Sequence, residues 1–172
     1  MKTTGMVRRV DSLGRIVIPK EIRKVLKIKE NEQVEINVQG EEIILNRYSE
    51  LDESDNALKN LLDIISDVYK VDILLTNLNN FKIVSKNYQY LVCKELSPYL
   101  SNILDERREV IKQTKINLLL SSENVIDSTY LIKTIIINGD TVGLIIFLSD
   151  NYQNIDTKLV DLMNHYLEKY LE

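Results

Sequence analysis

The chain has 172 residues, 44% of them apolar, with 22 basic and 26 acidic side chains and a formal net charge of −4. That length suits one ordinary domain or two small ones, and no apolar run approaches the roughly 20 residues that a membrane-spanning helix needs. Cys93 is the only cysteine and His165 the only histidine, which excludes an intrachain disulfide and a Cys/His zinc cluster; with no signal-peptide core after Met1, a cytoplasmic protein is expected.

The charge is not spread evenly. Residues 1–29 carry nine basic side chains against Asp11 and Glu21, a local balance of +7, whereas residues 30–50 carry Arg47 against six glutamates, a balance of −5. A cationic block inside an acidic chain is the electrostatic footprint of a nucleic-acid binder, because binding responds to where charges sit and not to their mean.

In chain order, residues 4–10 read as a short strand ending at the turn signal Asp11-Ser12-Leu13-Gly14. Ile16-Val17-Ile18 reads as a β-branched strand buried on both faces. Pro19 stops it and starts a helix running to about Lys27, with Glu21 complementing the positive end of the helix dipole. On that helix Ile22, Val25 and Leu26 fall at i, i+3 and i+4 as an apolar stripe, while Lys20, Arg23, Lys24 and Lys27 share the other side. Leu13, Ile16 and Ile18 join the stripe as expected core. Val34, Ile36 and Val38 then alternate with Glu35 and Asn37, and Gln39-Gly40-Glu41 turns the chain into Ile43-Ile44-Leu45. A module this small, without disulfide or metal, needs a second subunit.

Thr4-Gly5-Met6-Val7-Arg8-Arg9-Val10-Asp11, Leu13-Gly14-Arg15-Ile16-Val17-Ile18-Pro19, Glu21-Ile22-Arg23-Lys24 and Ile43-Ile44-Leu45 together resemble the DNA-binding domain of the AbrB family of transition-state regulators. The resemblance implies an N-terminal, β-rich swapped-hairpin fold with one short helix, in which two chains interleave their strands into a barrel-like dimer. It implies that Arg8, Arg15 and Arg23 contact DNA, that Arg9 stands where a basic residue is usual, and that Lys24 replaces an arginine, keeping the charge but losing the planar fork. With Lys20 and Lys27 these are the expected DNA-binding residues. Two copies of the block place about +14 on one dimer face, so affinity should fall steeply with salt. The resemblance further implies a preference for A·T-rich promoter DNA without a strict consensus.

Residues 49–56 are acidic and poor in apolar side chains, so the DNA-binding domain is taken as residues 1–50, with 51–56 a linker running into a helix and 57–172 a second domain. Leu58, Leu61, Leu62, Ile65 and Val68 form a helical stripe. Residues 71–76 and 81–84 flank Asn77-Leu78-Asn79-Asn80 as a hairpin, and residues 130–137 and 141–148 flank Asn138-Gly139-Asp140 as another, since Asn-Gly suits two positive φ angles. Residues 88–113 read as mainly helical, restarting at Ser97-Pro98, and a terminal helix from about Ile155 carries Leu159, Leu162, Met163, Tyr166, Leu167 and Tyr170. This is an α+β layout with an antiparallel sheet. It resembles AbrB-family regulators that add a GAF-like domain, which implies a homotetramer joined through helices of that domain and a role in spore development.

No constellation in the second domain resembles a catalytic site, and no cofactor or metal is expected. Cys93 reads as a small buried thiol in a helix, His165 as a surface or packing residue, and residues 105–109 as a solvated helical face. The main reading is therefore a nucleoid-associated transcription regulator and not an enzyme. Alternatives are a sensor whose GAF-like domain binds an unknown small molecule that controls DNA affinity, and an antitoxin, since related swapped-hairpin proteins neutralise a toxin through a C-terminal tail.

Overall fold

The computed structural model describes residues 5–26, 28, 34–47, 51 and 55–171. The chain divides into two compact units, Met1–Tyr48 and Ser49–Glu172.

In the first unit, helix α1 spans Lys20–Val25. Pro19 occupies the N-cap, with φ −58° and ψ 146°, one position before the helical start expected of it. Glu21 lies in the first turn and Arg23 and Lys24 in the last, each favourable to the helix dipole. Strands β1, Val34–Gln39, and β2, Glu42–Arg47, form an antiparallel hairpin turned at Gly40. Its register sets Ile36 opposite Leu45 and Val38 opposite Ile43, so these four share one face.

Several expectations for this unit are not met within a single chain. Residues 5–10 and 16–18 form no strand within a single chain, and Ile16 and Val17 are exposed where burial on both faces is expected. A strand requires a ladder partner, and among the described residues β1 and β2 pair only with each other. Leu13, Val25 and Leu26, expected in a core, are also exposed, Val25 at 80% and Leu26 at 46%, while Ile18 and Ile22 are half-buried. Ile36, Val38, Ile43 and Leu45 are likewise exposed. Both buried apolar clusters among the described residues belong to the second unit.

The second unit is built on a five-stranded antiparallel sheet of order β4-β3-β7-β6-β5: β3 Asp72–Thr76, β4 Phe81–Val84, β5 Val110–Leu119, β6 Val125–Ile137 and β7 Asp140–Ser149. Side-chain alternation divides its interior between two faces. Ile73, Leu75, Leu131, Ile145 and Phe147 point to the face covered by α2, Asn56–Tyr69, and α4, Thr157–Tyr170. Leu74, Tyr130, Ile132, Ile146 and Leu148 point to the face covered by α3, Pro98–Glu106, and the 3-10 turn Lys86–Leu91. Each helix starts on a side-chain cap: Asp55 Oδ1 accepts from Leu58 N (2.9 Å), Ser97 Oγ from Leu100 N (3.2 Å), and Asp156 Oδ1 from Lys158 N (2.8 Å). Leu51, in the segment read as linker, is 2% exposed and belongs to the α2/α4 core.

Both expected hairpins form. Asn77 Oδ1 accepts from the amides of Asn79 and Asn80 at the first, and Asn138 and Gly139 take φ of 51° and 88° at the second. The stretch 88–113 departs from its helical reading. It holds the end of the 3-10 turn, a bridge between Asn80 and Glu95, α3, and the first residues of β5, which pair with β6 from Val110↔Ile132 onward. Pairing with a neighbouring strand overrides local helical preference there. Arg107 ends α3 in the left-handed region (φ 50°), so residues 105–109 are not one helical face; Arg107 Nη1 donates to Gly139 O (3.0 Å) and Arg108 pairs with Glu106 (2.9 Å). Cys93 is exposed in a turn with φ 64° and not buried in a helix. Val68 on α2, and Leu162, Tyr166 and Tyr170 on α4, are exposed and not core.

Candidate nucleic-acid interface

The cations of the first unit sit on three consecutive pieces of backbone. Arg8 and Arg9 are exposed on the extended segment 5–10, where Arg8 Nη1 donates to Val7 O (3.1 Å). Arg15 closes the turn that follows. Lys20, Arg23 and Lys24 lie on α1 at i, i+3 and i+4 and therefore on one side of it. Lys20 and Lys24 are exposed and Arg23 is half-buried. Lys27, the remaining expected DNA-binding residue, lies outside the described residues.

The 11–15 turn is held tightly. Asp11 N donates to Arg15 O (3.1 Å) and Gly14 N to Asp11 O (3.0 Å). Gly14 takes φ 78°, where a side chain would be strained. Asp11 Oδ1 accepts from Leu13 N and Arg15 N, each at 2.9 Å, and Oδ2 accepts from Arg15 Nε at 2.8 Å. The Arg15 amide and then its guanidinium hold the Asp11 carboxyl below its ordinary pKa. Among the described residues, Arg15 pairs with Asp11, and Arg9, Lys20, Arg23 and Lys24 have no ion-pair partner. Arg23 Nε is buried without a hydrogen-bond partner among the described residues.

Sequence reasoning placed the cations but missed Asp11, which it read only as part of a turn signal. The available sign was the spacing Asp-x-x-Gly-Arg: an Asx turn directs the carboxylate toward the amides two to four residues on.

Among the described residues, the second unit offers no comparable constellation. A cavity of about 320 Å³ beside β4 is lined by Lys59, Lys82, Ile83, Val84, Gln89 and Val92, with Lys59 Nζ donating to Gln89 Oε1 (3.1 Å) and Gln89 Nε2 to Val84 O (2.7 Å). His165 is a surface residue against Glu168 (3.5 Å). Among the described residues no three His, Cys, Asp or Glu side chains converge as a metal site, and no helix is long and apolar enough to cross a membrane.

Comparison with known proteins covers both units. Residues 7–50 match the family model described as antidote-toxin recognition MazE, bacterial antitoxin, and residues 53–172 match that of the stage V sporulation protein T C-terminal, transcription factor. The chain is 32% identical to stage V sporulation protein T of Bacillus subtilis (strain 168), with 100% of this chain and 99% of that protein aligned. Over 48 residues it is 56% identical to the transition state regulatory protein AbrB of the same organism, covering 28% of this chain and 50% of that one. A solved structure of the cofactor-binding GAF domain of the nutrient sensor CodY from Clostridium difficile aligns with a TM-score of 0.47 at 11% identity, over 64% of this chain and 81% of that one. An AbrB-like N-terminal unit, followed by a C-terminal unit of the sporulation type and aligned end to end with one relative, means that the chain belongs to the stage V sporulation protein T family of transcription regulators.

Proposed function

We propose that this regulator binds A·T-rich promoter DNA through one cationic face, formed when two N-terminal units exchange strands into a swapped-hairpin dimer, and that Arg8, Arg9, Arg15, Lys20, Arg23, Lys24 and Lys27 line that face. The observation that carries this reading is the state of the first unit in a single chain. Val25 on α1, Leu26 at its end and the apolar side chains on one face of the β1–β2 hairpin are exposed, and segments 5–10 and 16–18 have strand-forming sequence without a strand partner among the described residues. A second copy would supply the missing ladder and cover the apolar faces, burying about 1.5–3 kcal/mol per large side chain. The cations, mostly exposed and largely free of acidic partners among the described residues, would then line one dimer surface. Phosphate contacts would position the duplex, and arginine forks reaching base edges or a narrow minor groove would select it.

The C-terminal unit, 57–172 in this reading, is GAF-like and joins dimers into a tetramer. Tyr170 Oη donates to Asp55 Oδ2 (2.6 Å), which sets the end of α4 beside the start of α2. Ile64 and Val68 on α2, and Leu162, Tyr166 and Tyr170 on α4, are exposed on these two helices. That helical surface is what a second C-terminal unit would cover.

Leu26→Asp separates the dimer from the alternative of a self-contained unit. At a solvated position such a change stays within about 0.5 kcal/mol; at a buried dimer core an unpaired carboxylate costs several kcal/mol. The expected result is loss of the N-terminal interface and of DNA binding, with the tetramer falling to dimers in sedimentation. Unchanged mass and unchanged DNA affinity would refute the swapped dimer. If the N-terminal unit instead serves as an antitoxin module, the full chain would co-purify with a small toxic protein.

A further inference from the structure

Asp11 is out of place in a surface meant for polyanions. It is one of two acids among the first 29 residues, and its charge would repel the same phosphates that the block attracts. Stability does not explain it well. The Asp11–Arg15 pair is solvated, with side chains 41% and 72% exposed, and pairs of that kind contribute about 0–1 kcal/mol. Its geometry points elsewhere. The two carboxylate oxygens divide the work, since Oδ1 takes the amides of Leu13 and Arg15 and holds the backbone of the turn, while Oδ2 takes Arg15 Nε and holds the guanidinium.

We infer that Asp11 is a positioning residue for DNA recognition, which fixes the Arg15 guanidinium by its Nε so that its terminal nitrogens are presented as a pre-oriented fork to a phosphate or a guanine edge. The inference rests on the DNA-facing role of Arg15 given above. A free arginine must lose its rotamer freedom on binding. One already anchored at Nε, on a turn fixed by Gly14 and two amide bonds, loses less, and the terminal nitrogens suit bidentate recognition.

Asp11→Asn isolates this role. The amide oxygen of asparagine still accepts from Leu13 N and Arg15 N, so the turn survives, whereas its NH₂ group occupies the place of Oδ2 and cannot accept from Arg15 Nε. The two explanations of Asp11 predict opposite signs. If Asp11 is merely a surface charge, its removal makes each chain more cationic and DNA affinity rises. If it positions Arg15, affinity for an A·T-rich duplex falls roughly 5- to 150-fold, the scale of one immobilised side chain in each of two protomers.

The test measures duplex affinity by fluorescence anisotropy for the wild type, Asp11→Asn, Arg15→Ala and the double variant, with oligomeric state followed by light scattering. Weaker binding by Asp11→Asn, absent in the Arg15→Ala background and with the oligomer intact, is the expected result. Tighter binding, or an equal loss in both backgrounds, would overturn the positioning role. If Arg15→Ala alone leaves affinity unchanged, it is the DNA-contact reading of Arg15 that fails.

Discussion

Arg23→Ala, present in both chains of a dimer, is expected to weaken binding to an A·T-rich duplex by roughly 30-fold to 10⁴-fold. An arginine contact to phosphate or a base edge contributes about 1–3 kcal/mol, and the symmetric assembly loses two of them. Arg23 is the half-buried cation of α1, so it is held closer to the unit than its exposed neighbours and loses less side-chain freedom on binding. Its neighbours Lys20 and Lys24 are exposed and flexible, and their single replacement should cost less. Arg23→Lys keeps the charge without the fork and should fall between wild type and alanine. Anisotropy at fixed salt checks the affinity, and light scattering checks the oligomer. A dimer that dissociates on Arg23→Ala would make the residue an interface group; unchanged affinity would remove it from the DNA surface.

Gly143→Ala is expected to destabilise the C-terminal unit by at least about 3 kcal/mol, beyond the usual range for overpacking a core. A methyl group at Gly143 would lie 1.7 Å from Thr76 O and 2.8 Å from Thr76 C, both backbone atoms that no rotamer change can move. This is where β3 leaves β7. Main-chain pairing ends at Leu75↔Ile145, and the buried Thr76 hydroxyl takes over by accepting from Leu144 N (3.0 Å). To admit the methyl, β3 would have to separate from β7 and draw Leu74 and Leu75, which belong to the cores on opposite faces of the sheet, out of place. A fall in melting temperature on the order of 10 °C is expected from that loss. A shift below about 2 °C would show that the two strands yield at low cost.

The parts of the fold written by short-range chemistry were legible in the sequence. Asn138-Gly139 specified its turn because both residues need positive φ, and Ser97-Pro98 marked a helix start, where the Ser97 hydroxyl accepts from Leu100 N. Long-range pairing was less visible. Residues 110–113 read as helix because the sequence alone does not show that β6 lies alongside them, and Cys93 read as buried because a positive-φ cysteine after a 3-10 turn leaves no periodic signal. The apolar stripe of α1 was legible as a face that must be buried, and it is exposed in a single chain; hydrophobic spacing reports that a face needs covering, not which chain covers it. At the candidate site the cations were legible from charge segregation and family resemblance. Asp11 was not, because its role depends on which oxygen meets which donor, a matter of turn geometry and not of composition.

A DNA-facing surface within the first thirty residues is tested most directly by the salt dependence with which the 172-residue chain binds an A·T-rich promoter duplex, with Arg15→Ala beside it. If about six phosphates are neutralised across the dimer, log K should fall against log salt with a slope of about −5. Arg15→Ala should bind more weakly while remaining oligomeric and should flatten that slope. Weak binding with a slope near zero, unchanged by Arg15→Ala, would contradict the account and leave the cationic block an ordinary solvated surface.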